Sequence, residues 1–65
     1  MKIFLNGEEI ETSVKTLNEL IDEYKIETQI MAAAVNMEIV KKDDWSSFEL
    51  KENDKVELLR FVGGG

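Results

Sequence analysis

The residues with chemistry in them are Val62-Gly63-Gly64-Gly65, on which the sequence closes. The whole sequence has four glycines, and three of them stand here. Without a Cβ, such a segment threads a narrow channel and takes φ values closed to other residues. Gly65 adds a main-chain carboxylate with no side chain around it. A free carboxylate is a poor electrophile and needs activation, for example by adenylation, before a nucleophile can attack it. The segment therefore reads as a tail built to enter the active site of another protein. The other reading of the same glycines is a frayed end.

Little else in the sequence suits catalysis. There is no His and no Cys, so an imidazole base, a thiolate nucleophile, a disulfide framework and a thiolate metal site are all excluded. Asp and Glu together number 14, scattered over turns and a helix surface rather than gathered in a pocket that could tune their pKa. Glu8 and Glu9 are neighbours on a strand and point to opposite faces. Asp43 and Asp44 read as a solvated loop before they read as metal ligands. Glycine loops that cradle phosphate precede a helix, and these glycines do not. The expectation is a protein that is not an enzyme, with no metal site and no bound cofactor.

A net charge of −6 argues against nucleic acid, which asks for a basic stripe. No apolar run is long enough to span a membrane, and no signal peptide is read, so the expected location is the cytoplasm.

With 65 residues the chain makes one small domain. "KIFLN" meets Asn6-Gly7, a strong hairpin signal, and "EEIET" follows, which predicts a β-hairpin over residues 2–12. Thr16 and Glu19 form a Thr-x-x-Glu capping box. Leu17, Leu20, Ile21 and Tyr24 then recur at i, i+3, i+4 and i+7, the apolar face of a helix near 17–25. In "MAAAVNMEIV" the alanines favour helix on propensity. One helix and one hairpin still need more strands to form a core, so Met31–Val35 is read as a strand, Asn36 as a turn, and Glu38–Val40 as a short return. "KKDDWSSF" reads as a polar connection with a helical turn, capped by Asp43 or Asp44, with Trp45 and Phe48 tucked inward. After a turn at Asn53-Asp54, "KVELLRFV" is the last strand, expected at the sheet centre beside the first. The order implies an α+β domain, a mixed sheet with one main helix on one face. The domain is expected over 1–62, with 63–65 as a flexible tail.

The run "AAVNMEIVKKDDWSSFELKENDKVELLRFVGGG" resembles the C-terminal half of ThiS, the thiamine-biosynthesis sulfur carrier family. Its features are a strand ending Val-Asn, a return Ile-Val, a Trp a few residues on, an acidic turn, and a last strand running into glycines. "MKIFLNGEEIE" is similar to the family's first hairpin. Two positions depart from the pattern: Met37 stands where the family often has Gly, and Lys41-Lys42 where it often has Pro-Arg. The resemblance implies a β-grasp, ubiquitin-like fold. It implies that Gly65 is adenylated by an E1-like partner (ThiF-like) that uses ATP, and that the adenylate becomes a thiocarboxylate with sulfur from a cysteine desulfurase. A thiazole synthase (ThiG-like) then takes the sulfur. Gly64 and Gly65 match the family's terminal pair, and Gly63 extends it. Alternative readings are a sulfur carrier of another pathway, such as the small subunit of molybdopterin synthase, a ubiquitin-like modifier joined to lysines, or a plain interaction module.

Strand alternation turns Ile3, Leu5, Val56 and Leu58 toward the helix. Phe4, Leu59 and Phe61 then face the other way and are expected to form one exposed apolar cluster beside the tail, a site for a partner. Arg60, near the tail on the opposite face, either pairs with an acid of that partner or stays solvated.

Overall fold

The computed structural model describes residues 1–24 and 30–60, with the backbone alone at 30, 31 and 60. The elements are β1 (Lys2–Leu5), β2 (Glu8–Glu11), α1 (Leu17–Tyr24), β3 (Ile30–Val35), β4 (Glu38–Val40), a 3₁₀ turn (Lys42–Asp44) and β5 (Lys55–Arg60). The five strands form one sheet in the order β2-β1-β5-β3-β4. β1 and β5 are parallel, and the other pairs are antiparallel. The last strand thus lies at the centre beside the first, and α1 covers one face, as the element order implied.

The hairpin closes where turn chemistry placed it. Asn6 and Gly7 both take positive φ, 50° and 87°, the pair of values that a two-residue turn matched to strand twist requires. Asn6 also does something that its turn role does not demand. Its backbone N–H donates to Val56 O at 2.8 Å, and its side-chain Oδ1 accepts from Leu58 N–H at 2.9 Å. β1 has ended by this point, so a side chain carries the β1–β5 ladder one rung further.

α1 begins with its first backbone donors all accounted for. Leu17 N–H donates to Phe48 O at 2.9 Å, Asn18 N–H to Trp45 O at 3.0 Å, and Leu20 N–H to Thr16 O at 3.2 Å. Glu19 N–H donates to Thr16 Oγ1 at 3.2 Å, and Thr16 N–H returns to Glu19 Oε1 at 3.1 Å. This is the predicted capping box, with a further bond from Lys15 N–H to Glu19 Oε1 at 2.7 Å. These two backbone donors stabilise the ionised carboxylate and hold Glu19 below its ordinary pKa of 4.5.

The helix face packs as its spacing predicted. Leu17, Leu20 and Ile21 are fully buried against Ile3, Val56 and Leu58 of the sheet, and Tyr24 packs at the margin. Trp45 turns inward and donates its indole N–H to Val40 O at 2.9 Å, while Phe48 is half-buried. Asp43 and Asp44 do not cap the 3₁₀ turn; Lys41 holds the cap position, with no side-chain bond there. The acids lie inside the turn, where their carboxylates face solvent.

The turn joining β3 to β4 pays for a departure from the family pattern. Asn36 has φ 52° and Met37 has φ 72°. Asn tolerates this left-handed region, but Met gains nothing local from it. Asn36 is pinned by Asp54 and Lys55: its Nδ2 donates to Asp54 Oδ1 at 3.0 Å, and its Oδ1 accepts from Lys55 N–H at 3.1 Å. Met37, 91% exposed, has no such packing. We expect Met37→Gly to raise stability by about 1 kcal/mol, as relief of left-handed strain outweighs the entropy of the added glycine. Urea unfolding checks this, and a lower midpoint for the variant would contradict it.

Candidate functional site

β5 is paired on both sides, by β1 and by β3, and its last residue Arg60 pairs with Ile30. The sequence beyond it leads to the glycines, so the tail is anchored on the best-supported strand of the sheet. The side chain of Arg60, and Phe61 and Gly63 to Gly65 entirely, lie outside the described residues, as does the expected boundary between 62 and 63.

The sheet face away from α1 carries the predicted Phe4 and Leu59, but not as one cluster. β1 and β5 run in parallel with Phe4 beside Lys55. Leu59 is four residues further along β5, about 13 Å at the usual rise per residue. Glu57 stands between them on the same face. Phe4 instead sits half-buried between Glu9 on one side and Lys55 on the other, with Lys2 Nζ 5.7 Å from its ring centre. Alternation assigns a residue to a face correctly. It does not fix its height along a parallel neighbour, and that height is what separates this pair.

Leu59 has different neighbours. It pairs with Ala32 of β3, and Ala34 pairs with Glu57 on one side and Ile39 on the other. The alanines are small, and the flanking Ile39 and Leu59 are 69% and 60% exposed. A depression of about 330 Å³ results, bordered by Asn6, Ala34, Ile39, Glu57 and Leu59. A second, of about 310 Å³, is bordered by Phe4, Gly7, Lys55 and Glu57. Glu57 belongs to both. The segment 41–48 does not fold over either of them, because its backbone is bonded to the start of α1 on the other side of the sheet.

Sequence reading missed Ile39, since a three-residue strand shows too little alternation to mark its outward side chain.

Among the described residues no group of three or more His, Cys, Asp or Glu converges in a way that could hold a metal ion. Among the same residues, no helix is long and apolar enough to cross a membrane.

A model of the ThiS family matches residues 3–65, the terminal glycines included. The chain belongs to the ThiS family. It is 33% identical over 63 residues to the sulfur carrier protein ThiS of Bacillus subtilis, covering 94% of this chain and 96% of that one. It is 35% identical over 66 residues to a thiazole synthase of Paramagnetospirillum magneticum, matching along its whole length but spanning only 20% of that longer protein. The crystal structure of the thiamine biosynthesis protein ThiS from Geobacter metallireducens aligns over all of both chains with a TM-score of 0.80 at 25% identity. The ThiS-family fold is the β-grasp, and the mixed five-stranded sheet with one helix described above is an instance of it.

Proposed function

We propose that this chain is a sulfur carrier of thiamine biosynthesis whose working group is the carboxylate of Gly65. The observation that carries the reading is the reach of the family match through residue 65, glycines included. The names of its relatives, a sulfur carrier and a thiazole synthase, agree with it.

In this reading the chain is a co-substrate rather than an enzyme. An E1-like activating enzyme binds ATP, and a Gly65 carboxylate oxygen attacks the α-phosphate. Pyrophosphate leaves, and the acyl-adenylate forms. The terminal sulfur of a persulfide, supplied by a cysteine desulfurase, attacks the acyl carbon and expels AMP to give an acyl disulfide, and a partner thiol then cleaves the S–S bond, forming a disulfide itself and leaving a thiocarboxylate that thiazole synthase uses. The chain itself needs no cofactor, since ATP belongs to the activating enzyme. Its lack of Cys is an advantage, because no internal thiol competes for the activated acyl group. Gly63 and Gly64 let the tail enter two active sites in turn. The location that goes with this reading is the cytoplasm.

ATP–pyrophosphate exchange tests the first step. With the activating enzyme present, exchange should depend on added chain and saturate with it. Exchange at the same rate without the chain would remove the adenylation step from the proposal.

A further inference from the structure

We infer that Asn6 is a positioning residue for the tail: its side-chain Oδ1, by accepting from Leu58 N–H, holds the end of β5 and so fixes where the segment carrying Gly65 leaves the sheet. The inference rests on the carrier reading and adds a residue, far from the glycines in sequence, on which their delivery depends.

The turn alone does not call for Asn. Asn6 has φ 50°, a value that Gly takes without steric cost. What Gly lacks is an oxygen in the right place. Along the β1 side of β5, Phe4 N–H donates to Asp54 O at 2.9 Å and Asn6 N–H to Val56 O at 2.8 Å. In a regular parallel ladder the next bond runs from Leu58 N–H to the main-chain carbonyl of residue 6. Here the chain is already turning toward β2, and the side-chain carbonyl of Asn6 takes that place at 2.9 Å. Asn and Asp combine tolerance of the left-handed region with a short side-chain acceptor.

The bond falls where β5 is otherwise least supported. β1 ends at Leu5, whose partner is Val56, while β5 runs on to Arg60. On the other side β3 is irregular at the same height. Residue 31 is extra between Ile30, opposite Arg60, and Ala32, opposite Leu59. A bulge of this kind disrupts the ladder locally. Leu58 itself is buried in the core and pairs regularly with Ala33. It is thus the point at which the strand is held from both sides, and residues 59–65 continue from it.

The consequence is kinetic. If β5 frays back to Val56, the stretch from the sheet to Gly65 lengthens from 61–65 to 57–65. The effective concentration of a tethered group falls roughly as the −3/2 power of tether length, so the carboxylate meets ATP about two- to threefold less often. The side chains that an enzyme can bind are unchanged, so the loss belongs to kcat rather than to KM.

The experiment compares three variants of the full-length chain. Asn6→Gly keeps the turn and removes the acceptor, and Asn6→Asp keeps both. Asn36→Gly is the control. Asn36 also has a left-handed φ, 52°, and its Oδ1 also accepts from a β5 amide, Lys55 N–H at 3.1 Å, but at the start of the strand. Thiocarboxylate formation with the activating enzyme, ATP and sulfide, read by intact mass over a range of chain concentrations, gives kcat and KM. Amide hydrogen exchange reads the protection of Leu58 N–H. We expect Asn6→Gly to speed exchange at Leu58 about tenfold, to lower kcat about two- to threefold and to leave KM as in wild type. Asn6→Asp should restore both readouts, and Asn36→Gly should lose stability without losing kcat. A folded Asn6→Gly chain with wild-type kcat would overturn the inference. So would an equal fall in Asn36→Gly, no rescue by Asn6→Asp, or a change in KM alone, which would make Asn6 a contact of the enzyme. If Asn6→Gly does not fold, wild type still decides: protection at Leu58 N–H supports the role, and exchange as fast as that of an exposed loop amide overturns it. Wild type that gains sulfur no faster than Asn6→Gly leaves the carrier reading standing without this role. Wild type that gains no sulfur removes the carrier reading itself.

Discussion

Replacing Leu20 with Ala lowers stability by about 2–5 kcal/mol. Leu20 is fully buried, on the middle turn of α1 and between the helix and the sheet. Truncation removes the transfer free energy of its methyl and methylene groups. It also leaves a void that the sheet, paired through five strands, is poorly able to close. A domain of this size holds on the order of 3–10 kcal/mol in total, so the loss is a large part of the whole. Chemical unfolding followed by the fluorescence of Trp45 measures it. Trp45 is buried beside the start of the same helix and reports on the same core. A midpoint unchanged from wild type would mean that α1 does not pack through this face.

The elements that sequence made legible are those whose signals are local. Asn6-Gly7 dictated its own turn, since the two positive φ values can be read from the residue types. Thr16 and Glu19 marked the helix start because each side chain satisfies the other's backbone. β3 was less direct. "MAAAV" reads as helix on propensity, and only the need for strands to cover a lone helix turned the assignment. In the structure the alternation explains the composition: Ala33 is buried under the helix, while Ala32 and Ala34 lie on the outer face.

What sequence did not give is long-range register. The height of Phe4 against β5 depends on contacts far apart in the chain. Asn53 N–H donates to Lys2 O at 2.7 Å, and Phe4 N–H donates to Asp54 O at 2.9 Å. Asn6 Oδ1 ends the ladder at Leu58. None of these bonds has a periodic signature. Alternation therefore put Phe4 and Leu59 on the same face, but the register sets Phe4 beside Lys55 and leaves Leu59 next to Ala32. The clamp on α1 was hidden for the same reason. Its donors at Leu17 and Asn18 are bonded to the carbonyls of Phe48 and Trp45, some thirty residues away in sequence.

The tail is the second place where a small change should have a large effect. In the proposed reading Gly65 supplies the carboxylate, and Gly64 lets the backbone pass where a Cβ would meet a channel wall. Deleting Gly65 shortens the reach by one residue, about 3.3–3.6 Å. Reacting atoms need to approach within about 3–3.5 Å, and displacement by a single ångström costs on the order of a hundredfold in rate. Deletion should therefore suppress thiocarboxylate formation by at least that factor. Gly64→Val should do the same by obstruction, and Gly63→Ala should be the mildest of the tail changes. The folded part should keep its stability in each case, because none of the three glycines has a side chain to contribute to a core.

Intact-mass spectrometry after incubation with the activating enzyme, ATP and sulfide tests the central claim most directly. Wild type should gain the mass difference between sulfur and oxygen, located at Gly65 by fragmentation, and the Gly65 deletion and Gly64→Val should not. A deletion variant that takes up sulfur as fast as wild type would contradict the account and leave the glycines as no more than the end of the chain.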